Sequence, residues 1–133
     1  PGELAPAAGA DKAAQDILAS CERDSDGAPI LDMVFLGMGE DGHVASIFPG
    51  DLEIDSHEIY RPVVAAKPPP HRITLGLHVI TRARRVWVLV SGDGKENALR
   101  ESLDPLGKTP LARVIRGRSE TAVFTDLPAE KIK

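Results

Sequence analysis

Apolar residues recur early in the chain at Ala13, Ala14, Ile17, Leu18 and Cys21, the spacing of one helical stripe, with Asp11 placed to cap its start. Residues 1–10, rich in Pro, Gly and Ala, read as a leader into that helix, and the cluster Asp24-Ser25-Asp26-Gly27-Ala28-Pro29 stops it. The helical period then disappears. Ile30 to Leu36 is almost continuously apolar, as expected of a parallel strand buried on both faces, and Arg85 to Val90 reads as a second such strand. Each runs into a glycine-rich loop, Gly37 to Gly42 and Ser91 to Gly94, and each loop is expected to open a helix, His43 to Phe48 and Lys95 to Leu103. Short strands are expected at 61–66, 72–75 and 121–125, and short helical segments before Arg84 and over 110–115. Lys67-Pro68-Pro69-Pro70 cannot lie inside a helix and reads as a stiff polyproline connector. Two strand–loop–helix units predict an α/β fold, a Rossmann-like, largely parallel sheet flanked by helices. In such sheets ligands bind beyond the carboxyl ends of the strands, where both glycine-rich loops fall.

The first loop, Gly37-Met38-Gly39-Glu40-Asp41-Gly42-His43, fits the G-x-G-x-x-G spacing of a dinucleotide site. Against that reading, Pro49 cuts the following segment after about two helical turns, too short for a crossover helix that holds a pyrophosphate. No acid-tipped strand follows either, since Tyr60-Arg61-Pro62 stands where one belongs. The alternative is that the glycines bring backbone close to a ligand faced by Asp41 and His43, and a histidine there can act as general base on a water. Ser46 lacks the flanking glycines of a nucleophile elbow and reads as a packing or helix-capping residue. In the second loop, Ser91-Gly92-Asp93-Gly94-Lys95 lacks the outer residues of a Walker A motif. It remains a turn whose N–H groups and Lys95 can meet an anion, or simply a solvated lysine.

Composition narrows these options. At 133 residues the chain is one domain or part of one, and one cysteine excludes an intrachain disulfide and suits a reducing compartment. Aromatics are only 4%, so the core must be built from Val, Ile, Leu and Ala. The net charge of −4 divides unevenly: residues 1–60 carry two bases against thirteen acids, and residues 61–133 carry fourteen bases against seven acids. A basic half can mark an anion site, but one Trp and one Phe within it make no stacking platform for a nucleic acid, so no nucleic-acid partner is expected. No apolar run approaches the roughly 20 residues of a membrane span, so no membrane association is expected. His43, His57, His71 and His78 have no i, i+4 spacing, which leaves no expected metal site.

Leu36-Gly37-Met38-Gly39-Glu40-Asp41-Gly42-His43-Val44-Ala45-Ser46-Ile47-Phe48-Pro49 resembles the LGxGxDGHxASLFP signature of 6-phosphogluconolactonases. Pro69-Pro70-His71-Arg72-Ile73-Thr74-Leu75 is similar to that family's P-P-x-R-[IV]-T-L segment, and Val88 to Leu99 to its strand–G-x-x-K–helix segment. Leu111 to Val114 and Thr121 to Asp126 match more loosely. The related glucosamine-6-phosphate deaminases continue their D-G-H loop differently, with an Ala-Phe-Asn-Glu-Pro type sequence. Gly76 stands where the family usually has Thr, and the family's amino-terminal Gly-Gly-Ser/Thr loop and Asp-Glu-Arg segment do not occur. The resemblance therefore implies the carboxyl-terminal part of a lactonase domain spanning 1–133, with an amino-terminal segment of the same domain expected elsewhere.

It further implies a cytoplasmic enzyme of the oxidative pentose phosphate pathway, without cofactor, hydrolysing 6-phosphoglucono-1,5-lactone. His43 would activate the water, Asp41 would orient His43 or bind sugar hydroxyls, and Gly37, Gly39 and Gly42 would line the substrate. Arg72 and Lys95 would hold its phosphate. The other readings are a sugar-phosphate binding module without chemistry and a deaminase-like isomerase.

Overall fold

The computed structural model describes residues 2–133. Helix α1 (Pro6–Ser20) starts five residues before Asp11, inside the expected leader: Pro6 sits in its first turn, where a fixed φ and a missing N–H cost nothing. The expected stripe is the face it buries, with Gly9 and Ala10 fully enclosed. That face packs on an antiparallel hairpin, β4 (Tyr60–Val64) and β5 (His71–Leu75), which stands apart from the main sheet. The proline run between them is no extended connector. It is a hairpin loop closed by the Ala65 N–H donating to the Pro70 carbonyl at 2.7 Å.

The main sheet holds three parallel strands in the order β3 (Met33–Gly37), β6 (Arg85–Val90), β7 (Ala122–Thr125). The apolar run expected as one strand is divided. Pro29–Ile30 (β2) pairs with Glu22–Arg23 (β1) in a small antiparallel ribbon, and only Met33 onward joins the sheet. Burial on both faces is not what the sheet shows. Val34, Leu36, Val86, Val88 and Val90 point into the core, while Phe35 (61% exposed), Leu89 (52% exposed), Trp87 and Phe124 line the opposite, open face. There Trp87 meets Phe35 and Phe124 edge-on, with ring centroids 5.7 and 5.1 Å apart. A continuous apolar sequence records that both faces prefer to be covered, and in this chain one face has a cover.

That cover consists of α2 (Leu77–Arg82), α3 (Glu96–Leu103) and α4 (Pro110–Arg116), which supply Leu77, Ile80, Leu99, Leu111 and Val114 to the core. A short α5 (Ala129–Ile132) rests on α3. The core is aliphatic, as the composition required. Among the described residues no helix is long and apolar enough to cross a membrane.

Leu111 is fully buried in this cluster and Leu106 stands in solvent. Leu111→Ala should therefore lower unfolding free energy by about 2–5 kcal/mol in a urea titration, and Leu106→Ala by less than about 0.5 kcal/mol.

Candidate active site

The three sheet strands end on one side, and the loops that leave β3 and β6 are both anchored there. After β3 the chain closes on itself: the Gly39 N–H donates to the His43 carbonyl at 3.0 Å and the Gly42 N–H to the Gly39 carbonyl at 2.9 Å. No helix follows, contrary to the sequence expectation for His43 to Phe48. Ala45 adopts φ 50°, and Val44 and Ile47 pair in a tight turn that buries both side chains completely. Two fully buried apolar side chains three residues apart are held better by this turn than by a short exposed helix ending at Pro49. Ser46, expected as a packing or capping serine, is half-buried, and its N–H donates to Thr74 Oγ1 at 3.1 Å. Thr74, itself buried in β5, thus ties the loop to the hairpin.

Two glycines are required by close approach. A Cβ on Gly39 would collide with the His43 ring, so the imidazole lies directly against the loop backbone. Gly42 has φ +82°, and a Cβ there would press into Thr109 at 2.6 Å. Thr109 is buried and caps α4 by accepting from the Ala112 N–H at 3.1 Å, and its hydroxyl lies 2.6 Å from Ser102 Oγ. The loop therefore rests on a hydrogen-bonded floor. Gly37, in contrast, is exposed at the end of β3 with open space around it.

This geometry sets one catalytic-type pair. Asp41 Oδ1 lies 2.6 Å from His43 Nδ1 and also accepts the His43 N–H at 3.0 Å. One carboxylate oxygen thus fixes both the ring and the backbone of the same histidine, and Nε2 is the ring nitrogen left for chemistry. Partial burial works to raise the Asp41 pKa, but the hydrogen bonds from the His43 amide and ring and the attraction of its charge outweigh that and hold the carboxyl below the usual aspartate value.

His43, Asp41 and Glu40 open onto a cavity of about 880 Å³, within the range of small-molecule sites. Its other walls are the 48–53 segment, β4 and the proline loop. Phe48 packs against His43 with ring centroids 4.6 Å apart, and the Arg72 guanidinium lies 5.4 Å over the Phe48 ring. Arg72 also donates from Nε to the Pro69 carbonyl at 2.8 Å and from Nη2 to the Lys67 and Pro68 carbonyls at 3.1 and 3.3 Å. Arg61, 2% exposed, lines the same cavity and is ion-paired to Asp51, which pins the 48–53 segment to β4.

Of the residues expected from sequence, Asp41, His43 and Arg72 share this cavity, while Gly37, Gly39, Gly42 and Lys95 do not line it. Lys95 ends a 3-10 turn (Asp93–Lys95) after β6, held by Asp126 at the end of β7, which accepts from Ser91 Oγ at 2.7 Å and from the Gly92 N–H at 3.2 Å. Gly94 of that turn abuts the Glu40 side chain, so the turn borders the cavity mouth. Sequence reading passed over Phe48, Arg61, Thr74 and Thr109. The apolar-polar-apolar pattern of Ile73-Thr74-Leu75 hinted at Thr74, but nothing local marks the other three.

Among the described residues no cluster of three or more His, Cys, Asp or Glu side chains could hold a metal.

Residues 1–124 match the family model described as glucosamine-6-phosphate isomerases/6-phosphogluconolactonase. A 6-phosphogluconolactonase of Mycobacterium tuberculosis is 41% identical over 122 residues, covering 86% of this chain and 48% of the relative. One of Streptomyces coelicolor is 37% identical over 133 residues, 96% of this chain and 50% of the relative. The solved 6-phosphogluconolactonase of Trypanosoma brucei superposes with a TM-score of 0.73 at 28% identity, over 87% of this chain and 49% of that one. The chain thus spans about half the length of the relatives it matches.

The Asp41 carboxyl should titrate below the ordinary aspartate range in carbon-detected NMR. Its bond to His43 is fully present above the unfolded value and is lost as pH falls through the lowered folded one. Gly39→Ala, by displacing the ring, should move that midpoint back up. An unmoved midpoint would show that the ring does not depend on the bare Gly39 backbone.

Proposed function

The chain belongs to the glucosamine-6-phosphate isomerase/6-phosphogluconolactonase family, and from that footing we propose that it serves as a cytoplasmic 6-phosphogluconolactonase that opens 6-phosphoglucono-1,5-lactone to 6-phosphogluconate. The observation that carries this reading is the Asp41–His43 pair at the edge of a cavity large enough for a phosphorylated sugar. His43 Nε2 takes a proton from water as the water oxygen attacks the lactone carbonyl, and Asp41 holds the ring and stabilises the imidazolium that forms. The carbonyl oxygen becomes an oxyanion. Gly39 and Gly42 commit their N–H groups inside the loop, so these glycines serve by shape, and other backbone N–H groups nearby or a cation stabilise the oxyanion. Collapse of the tetrahedral intermediate breaks the ring C–O bond, and the proton on His43 passes to the departing hydroxyl. Arg72, whose Nη1 makes no hydrogen bond among the described residues, and Lys95, from the neighbouring turn, are the cations assigned to the phosphate.

We also propose that residues 1–133 act as one part of a larger lactonase domain. The open face of the sheet and the half-length match to relatives support an amino-terminal segment, like the unmatched half of those relatives, lying over Phe35, Trp87, Leu89 and Phe124. Trp87 is the sole tryptophan, so co-expression with the unmatched half of the Mycobacterium tuberculosis relative should shift its fluorescence to shorter wavelength. An unshifted spectrum in a co-purified pair would place the segment elsewhere.

In the intact protein His43→Ala should cut lactone turnover roughly 10²–10⁴-fold, a general-base magnitude. Unchanged turnover removes His43 as the base. Lys95→Ala should mainly raise KM for the phosphorylated lactone, and an equal effect on an unphosphorylated lactone would remove its phosphate role.

A further inference from the structure

Three cationic side chains besides His43 line the cavity, Arg61, Lys67 and Arg72, and their partners differ. Arg61 is buried and paired to Asp51, with Glu53 3.7 Å from its other terminal nitrogen. Those two carboxylates neutralise it. Arg72 has Nε and Nη2 turned onto three carbonyls of the proline loop and its flat face on Phe48. Lys67 alone among the three has no ion pair and no hydrogen bond from its side chain among the described residues.

Its backbone, by contrast, is fixed. The Lys67 carbonyl accepts from Arg72 at 3.1 Å, three prolines follow, and the Ala65 N–H to Pro70 carbonyl bond closes the loop around it. The ammonium is therefore carried on a hydrogen-bonded main chain, so ordering it on a ligand costs chiefly side-chain freedom. The acids on the same walls do not compensate for it: Asp51 and Glu53 belong to Arg61, Asp41 belongs to His43, and Glu40 lies against the Gly94 turn. Arg72 is held by neutral carbonyls, and Lys67 is the lining cation whose terminal group has no partner among the described residues.

We propose that Lys67 is a specificity-determining residue that contacts the dianionic phosphoryl group of the sugar substrate, Arg72 keeping the loop that carries it in place. This rests on the hydrolase reading above and adds a third cation to it. A lysine acts there as a point charge, donating charge-assisted hydrogen bonds to phosphate oxygens.

The test uses the intact protein with Lys67→Ala and Lys67→Arg. Lys67 is exposed, so both variants should fold, which circular dichroism checks. Lys67→Ala should raise KM for the phosphorylated lactone about ten- to a hundredfold, with kcat little changed and the unphosphorylated lactone unaffected. Lys67→Arg should restore most of the loss. In parallel, calorimetric titrations with 6-phosphogluconate and with gluconate should show a matching loss of affinity for the phosphorylated acid alone. Equal effects on the two lactones, or none, overturn the proposal. If the wild-type protein hydrolyses neither lactone, the hydrolase reading fails and the titrations alone decide. A phosphate-specific loss in Lys67→Ala then supports Lys67, and unchanged affinity, or no binding by wild type, overturns it.

Discussion

The contact between Gly42 and Thr109 is the constraint from which the site is built. Gly42 must have a positive φ and no Cβ for the loop after β3 to settle onto Thr109, and Thr109 must be buried to cap α4 and to meet Ser102 on α3. The same few atoms thereby join the loop after β3 to two core helices. With that floor set, the loop folds back until its backbone touches the His43 ring at Gly39, and Asp41 reaches the backbone N–H and Nδ1 of His43. A flexible loop could hold this pair only by giving up conformational entropy at each turnover. A loop seated on a satisfied polar network has lost that freedom once, on folding.

The second half of the site comes from a separate structural unit. The β4–β5 hairpin is not part of the parallel sheet, yet it supplies Arg61, Thr74 and Arg72, and its loop supplies Lys67. Two links fasten it to the loop after β3: the Ser46 amide on Thr74, and the His43–Phe48–Arg72 stack. The stack has a chemical consequence, because the ring that would carry the proton is braced on one side by an aromatic face and on the other by a carboxylate. Helix α1 supports the hairpin from behind, so residues far from the cavity in sequence hold its wall.

Much of this was legible in the sequence, and for identifiable reasons. The glycine-rich loops, the aliphatic strands and the candidates Asp41 and His43 follow local rules, since turn chemistry and apolar runs are written in adjacent residues, whereas Arg72 was singled out by the family resemblance. The misread segments have two causes, burial that overrode local preference and a local signal assigned elsewhere. His43 to Phe48 has no helix because Val44 and Ile47 find burial in a tight turn instead. Helix α1 begins at Pro6 because a proline is favoured in a first turn, a signal available in the sequence and assigned to a leader.

The sequence by itself determined the chemistry on offer: His43 two residues after Asp41, glycines spaced to admit them, and a basic second half of the chain. Tertiary structure decided which of those groups meet. It placed Arg72 on the proline loop and Phe48, kept Lys95 at the border of the cavity rather than in its wall, and left Lys67 as the lining cation without a partner. The division has a physical cause. Backbone conformation is set by neighbours within a few residues, whereas the neutralisation of a charge depends on whatever folding brings within hydrogen-bond reach.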